Sequence, residues 1–248
     1  MEQTSGAVML AHPKKRAAPQ RLPRLQNGDH LTREEFERRY TAMPHVKKAE
    51  LIEGIVYMPS PVSHTQHSMP HCDVTTWLGV YRASTPGVEG GDNGTVRLDE
   101  DNEPQPDAFL LVSPACAGQA RVSKDDYVEG APELVVEVAA TSASHDLHAK
   151  LNAYRRNGVK EYIVWRVLDQ AIDWFVLRGG QYERLQPVKG AAGRKLFKSE
   201  TFLGLWLDAE AMLKNNLAAV LDVLRDGLSS SEHAAFVARL QKAAGKKR

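Results

Sequence analysis

A chain of 248 residues, 42% apolar and 25% charged, is long enough to bury a sizeable core in about one or two domains. Its formal net charge of +1 neither demands nor excludes a polyanionic partner, and the two cysteines, Cys72 and Cys116, exclude a disulfide framework and fit a reducing compartment. No apolar run approaches the ~18 residues of a spanning helix, and GAVMLA near the start is too short for the apolar segment of a signal peptide, so a cytoplasmic protein with no membrane partner is expected.

Residues 3–28 hold Lys14, Lys15, Arg16, Arg21 and Arg24, three prolines and no acid, the composition of a disordered basic tail over 1–28. A nucleic-acid-touching arm is the alternative, because basic tails find phosphates without a fold. Thr32 and Glu35 have capping-box spacing, which predicts a helix carrying Phe36 and Tyr40 and ending at Met43-Pro44. Residues 50–58 (ELIEGIVYM) read as two short strands about a turn at Glu53-Gly54. The period then turns helical over 64–82, with Val74, Trp77, Leu78 and Tyr81 on one side. Residues 87–94 read as a glycine-rich turn, 95–98 as a strand and the acidic run 99–103 as a solvated loop. Asp107 opens a strongly apolar strand over 108–112, and the polar stretch 113–130 says little.

The centre of the chain is PELVVEVAATSASHDLHAKLNAY, residues 132–154. Leu134, Val135, Val136 and Val138 are apolar at both alternating positions, as a strand covered on both faces requires. Glu137 interrupts them, and an ionised carboxylate there is costly unless paired or bound to metal. A helix over 145–157 follows, stopped by Gly158. Leu147, Leu151 and Tyr154 form its apolar stripe, and Lys150 falls on the flank, able to turn back toward the strand end. Strands are predicted over 161–168 and 171–177 and at an edge over 181–185, then helix from Leu207 with Leu213, Leu217, Val220, Leu221 and Leu224 in phase. Ser229 with Glu232 restarts a helix carrying Phe236 and Leu240. The economical architecture is α/β (α+β), a mixed sheet with flanking helices and a helical C-terminal appendage.

Asp107 and Glu137 each stand on or beside an apolar strand, so adjacent strands can bring the two carboxylates together. Two such oxygen donors suit Mg²⁺ or Mn²⁺, which can polarise a phosphodiester, and Lys150 can orient the water or offset the developing charge. The plain alternative has Glu137 facing solvent from an edge strand, Asp107 capping a turn and Lys150 lying along apolar neighbours. His64, His67, His71 and Cys72 cluster in sequence, but no second ligand cluster such as CxxC follows to complete a zinc site. Trp165 and Trp174 read as core aromatics, and Arg155 and Arg156 suit the end of a helix dipole.

The strings ELIEGIVYMPSP, QPDAFLLV and PELVVEVAATSASHDLHAKLNAYRRNGVKEYIVW resemble, in order and spacing, successive blocks of the Uma-type restriction endonuclease family, within the PD-(D/E)XK nuclease superfamily. The resemblance implies a restriction-endonuclease-like core over 29–205, with 206–248 as a helical extension. It implies that Pro106-Asp107 is the PD of the motif and Glu137 its second acid. The motif's lysine normally lies two residues after that acid, where this chain has Ala139; Lys150 stands at the position to which the family moves it. Glu50 matches the early helper acid, with Glu53 a weaker candidate, and His67 matches a position suited to the phosphate or the metal shell. The implied function is a Mg²⁺- or Mn²⁺-dependent endonuclease acting on DNA, with Asp107 and Glu137 as metal ligands and a homodimer as a natural way to cut both strands. Two rivals are a catalytically inactive module that keeps the fold to bind nucleic acid or protein, and a hydrolase using the carboxylates as an acid/base pair, as glycosidases do.

Overall fold

The strand β8 (Leu134–Ala139) is buried along its whole length because its two faces meet two different cores. The structure, a computed structural model, describes residues 22–59, 61–190 and 193–245. β8 is central in a six-stranded sheet with β3 (Val88–Gly91), β5 (Ala108–Val112), β9 (Glu161–Arg166), β10 (Ala171–Arg178) and β11 (Gln181–Arg184), in the order β11-β10-β9-β8-β5-β3. Within this sheet only β8 and β9 run parallel, joined by a helical crossover, so the sheet is mixed as expected. Alternation sorts the strand residues. Leu110, Leu134, Val136, Val138, Ile163 and Trp165 enter one core, whereas Phe109, Leu111, Val135, Tyr162 and Val164 enter the other.

The first core is closed by α2 (Met69–Ala83), α5 (Ala209–Leu213), α6 (Leu217–Leu228) and α7 (Ser231–Gly245), through Trp77, Tyr81, Met212, Leu224 and Phe236. Trp77 donates to the Trp206 carbonyl at 3.0 Å and Tyr81 to the Leu203 carbonyl at 3.0 Å, so the C-terminal helices are built against the same core as the sheet. The second core is closed by the crossover, α3 (Ala143–His145), a π-helical turn Asp146–Lys150 and α4 (Leu151–Asn157), which Gly158 stops at φ 83° as anticipated. A third, smaller cluster seats α1 (Arg33–Thr41), capped by Thr32, on the hairpin β1 (Glu50–Ile52) and β2 (Ile55–Tyr57). The basic tail expected over 1–28 lies outside the described residues as far as 21; beyond that, Leu25 is buried in this cluster and Gly28 donates to the Val56 carbonyl.

Several elements depart from the sequence pattern. The glycine-rich stretch 87–94 is no mere turn but contains β3, paired antiparallel to β5. A Cβ at Gly90 would stand 2.8 Å from Leu110 Cδ2 and one at Gly91 2.7 Å from Phe109 Cζ, so these glycines admit neighbours' side chains rather than bend the chain. Residues 113–130 supply β6 (Arg121–Val122) and β7 (Val128–Glu129), which join β4 (Val96–Arg97) in a small sheet. A third small sheet comprises β12 (Val188–Lys189), β13 (Lys195–Lys198) and β14 (Trp206–Asp208), so Leu207 is in a strand and the helix it was expected to open begins at Ala209. That helix breaks at Asn215 (φ 54°) and restarts behind the Asn216 cap. The last helix is capped by Ser230, which accepts from His233 N at 3.2 Å, rather than by Ser229.

The acidic run 99–103 is not a solvated loop throughout. Leu51 and Glu103 exchange backbone hydrogen bonds, and Asn102 and Glu103 are buried. Burial, then a hydrogen bond and charge shared with Glu37, push the Glu103 carboxyl up to about 9 against the opposing pull of Arg97. The unfolded carboxyl ionises near its ordinary value while the folded one keeps its proton, so this group's contribution to stability is greatest below about 4.5 and is lost as pH rises toward about 9. Glu103→Gln is therefore expected to lose less stability than the wild type between pH 5 and pH 8, read from paired thermal melts. Parallel pH profiles for the two proteins would contradict the burial argument.

Candidate active site

The register Ala108↔Val136, Phe109↔Val135 between β5 and β8, continued by one step, sets Asp107 opposite Glu137. Directly opposed residues of an antiparallel pair have Cβ atoms about 4.5–5.5 Å apart. Both acids are in phase with Phe109, Leu111, Val135 and Ala139, two residues apart along their strands, which puts them on the face covered by the crossover helix. Sheet geometry thus gathers two acids thirty residues apart in sequence.

The crossover then delivers the cation. The π-helical turn closes wider than an α-turn, a local winding that recurs at functional sites, and Lys150 at its end is buried rather than flanking. Its Nζ donates to Glu137 Oε1 at 3.0 Å and to Glu50 Oε1 at 3.0 Å, with Asp146 Oδ1 at 3.9 Å. One turn on, Tyr154 donates its hydroxyl to the same Glu137 Oε1 at 2.8 Å. Glu50, on β1, also accepts from the backbone N–H of Gln105 at 2.7 Å, which ties the hairpin to the strand carrying Asp107. Asp107 Oδ2 accepts from Val138 N at 2.8 Å, inside the sheet, while Oδ1 faces His67 Nε2 at 3.5 Å and Lys48 Nζ at 3.7 Å.

Glu50, Asp107, Glu137, Lys150 and His67 are therefore brought together. Glu53 is not among them; it stands at the hairpin turn with φ 54° and pairs with Arg156 at 2.7 Å. His67 and His71 stack, with centroids 5.9 Å apart, but serve the strand ends. His67 Nδ1 bonds the Val138 carbonyl at 3.0 Å and His71 Nε2 the Asp107 carbonyl at 2.8 Å, while Cys72 is exposed. Sequence reasoning missed Lys48, Asp146 and Tyr154. Asp146 and Tyr154 lie four residues to either side of Lys150, one helical turn each way, and Lys48 lies two before Glu50, the spacing that returns to one side of an extended chain.

The electrostatics follow from burial. Glu50, Glu137 and Asp146, none more than 5% exposed, surround one buried ammonium, and Asp107, as deeply buried, faces Lys48 and His67. Burial lifts Glu137 to about 8 against the pull of Lys150, with the neighbouring acids pushing the same way, and burial likewise raises Asp146. Burial alone would lower Lys150, but Glu137, Glu50 and Asp146 outweigh it and hold the ammonium charged well above its usual range. At Asp107 burial is outweighed by the His67 hydrogen bond and the Lys48 charge, which bring the carboxyl down to about 2. The His67 imidazole is raised in turn by Asp107.

The buried acids outnumber the buried ammonium and are a set of hard oxygen donors, and a cation beside them would offset the burial that raises Glu137 and Asp146. Among the described residues no group of three or more His, Cys, Asp or Glu is arranged to enclose a metal, so a closed cage does not fit. An open site does: Mg²⁺ is ordinarily held by one or two carboxylates and completed by water and substrate phosphate. Asp107 and Glu137 are suited to that.

Removing Lys150 would strip Glu137 and Glu50 of their counter-charge. Lys150→Met is expected to cost about 3–5 kcal/mol in guanidinium unfolding, and adding Glu137→Gln should restore part of it. Wild-type stability in the single variant would show that the ammonium is dispensable to the pocket.

Residues 33–210 match the model of the Uma2 family, described as putative restriction endonuclease. A solved structure of a putative nuclease belonging to DUF820, from Anabaena variabilis, matches with a TM-score of 0.53 at 12% identity, covering 72% of this chain and 97% of that one, a likeness of fold. No curated protein matches the chain. Among the described residues no helix is long and apolar enough to cross a membrane. The family model runs from α1 into α5 and takes in the whole acidic cluster, and the chain belongs to the Uma2 family of putative restriction endonucleases.

Proposed function

We propose that the protein is a metal-dependent endonuclease hydrolysing phosphodiester bonds in DNA, with Asp107 and Glu137 holding Mg²⁺ or Mn²⁺. The observation that carries this reading is the opposition of Asp107 and Glu137 across β5 and β8, with Lys150 bonded at 3.0 Å to Glu137. Such an ion supplies Lewis acidity at the phosphoryl oxygens and helps ionise the attacking water.

The protein's own groups do the positioning. Lys150 and Tyr154 both donate to Glu137 Oε1, which fixes the carboxylate's rotation and leaves Oε2 as its ligand oxygen. Val138 N does the same for Asp107 by engaging Oδ2, leaving Oδ1. An ammonium has three N–H donors, and two of those on Lys150 are engaged by Glu50 and Glu137. The third serves to orient the water or to meet the charge that develops on the phosphoryl group. Glu50, anchored by Gln105 N, keeps the ammonium at that depth. His67, 3.5 Å from Asp107 Oδ1, would meet the phosphate beside it.

Asp107→Asn and Glu137→Gln should each reduce Mg²⁺-dependent cleavage of supercoiled plasmid to the uncatalysed background, while circular dichroism shows a folded protein. Nicking that survives in both variants, or that persists in EDTA, would remove the metal-dependent assignment.

A further inference from the structure

The two lysines at this site are held in opposite ways. Lys150 is fully enclosed and makes two bonds of 3.0 Å. Lys48, in the segment leading into β1, keeps 28% of its side chain exposed, and its Nζ stands 3.7 Å from Asp107 Oδ1, a loose ion pair. Its hydrogen bond is to Asn93 Oδ1 at 3.3 Å. His67, the other cation at Oδ1, is tethered: the Val138 carbonyl can only accept, so Nδ1 donates to it at 3.0 Å and the ring is held in place.

Oδ1 of Asp107 is the oxygen left over when Val138 N has engaged Oδ2. Were Asp107 Oδ1 to hold a divalent ion, the Lys48 ammonium would lose its place there by like-charge repulsion. Its four-carbon stem would let it swing, and a backbone phosphate bound beside Asp107 would offer it an anionic acceptor. A compact ammonium suits a phosphate oxygen as a point charge.

We propose that Lys48 is a phosphate-binding residue held in reserve by Asp107: it neutralises Oδ1 in the free protein and transfers to a non-bridging oxygen of the nucleic-acid backbone when the ion takes its place. This rests on the nuclease reading above. It predicts effects of opposite sign, because Lys48 opposes the ion when alone and favours the nucleic acid once the ion is bound. A residue that merely props Asp107 would weaken both on removal.

The test is Lys48→Gln in the full-length protein, with Mn²⁺ binding followed by the paramagnetic resonance of the free ion, and a labelled DNA duplex followed by anisotropy in Ca²⁺. Mn²⁺ alone should bind about two- to five-fold more tightly than to wild type, the release of one exposed ion pair. The duplex should bind more weakly, with the slope of log affinity against log salt smaller by about one. Lys48→Arg, which keeps the charge, should restore the slope. Weaker Mn²⁺ binding, or an unchanged duplex affinity and salt slope in Lys48→Gln, overturns the assignment. If wild type cleaves DNA while Lys48→Gln binds as it does, this inference alone falls; if wild type neither cleaves nor binds duplex, the nuclease reading falls and takes this one with it.

Discussion

A buried ammonium between two buried carboxylates is what the rest of this molecule is arranged to support. Lys150 reaches Glu137 from the crossover helix and Glu50 from the hairpin, so one side chain joins the central sheet to the small α1–hairpin unit. Charges so far from water are tolerable only when their partners are close and their remaining lone pairs are satisfied. Gln105 N and Tyr154 OH add a second hydrogen bond to each of the two oxygens that Lys150 engages. The pocket nevertheless keeps more acid than base, and burial raises Glu137 and Asp146 in consequence.

The sheet does the rest by register. Because β5 and β8 are antiparallel and offset so that Asp107 faces Glu137, a slip of one residue would send either acid into the apolar core behind α2. The fully buried β8 resists such a slip, since Val135 and Val136 are each committed to a different core. The placement of the acids by the sheet contrasts with the looser hold on Lys48, a difference that suits the separate roles proposed for them.

Much of this was legible in the residues themselves. Apolar runs at 108–112 and 134–138 announced buried strands, Gly158 announced the end of the crossover, and Asp107, Glu137 and Lys150 stood out because charge is expensive beside such runs. Glu50 and His67 entered through the resemblance, not through any local pattern. Pattern failed where side chains from elsewhere decide the outcome. Gly90 and Gly91 look like a turn until Leu110 and Phe109 are seen lying across them, and Trp206–Asp208 carries a helical apolar period but pairs with β13. Tyr154 read as core because it is core; the bond its hydroxyl makes to Glu137 is a tertiary contact that the apolar stripe does not announce.

The hydrogen bond from Lys150 to Glu50 spans 100 residues of chain. During translation, at about 5–20 residues per second, the hairpin bearing Glu50 leaves the ribosome seconds before the helix that completes its charge balance. Over that interval the hairpin can bury Leu51 and Val56 against Phe36, but its acid has no ammonium to meet. The charge balance of this pocket is thus complete only once the crossover has docked, so the two halves of the acidic cluster come together late in synthesis.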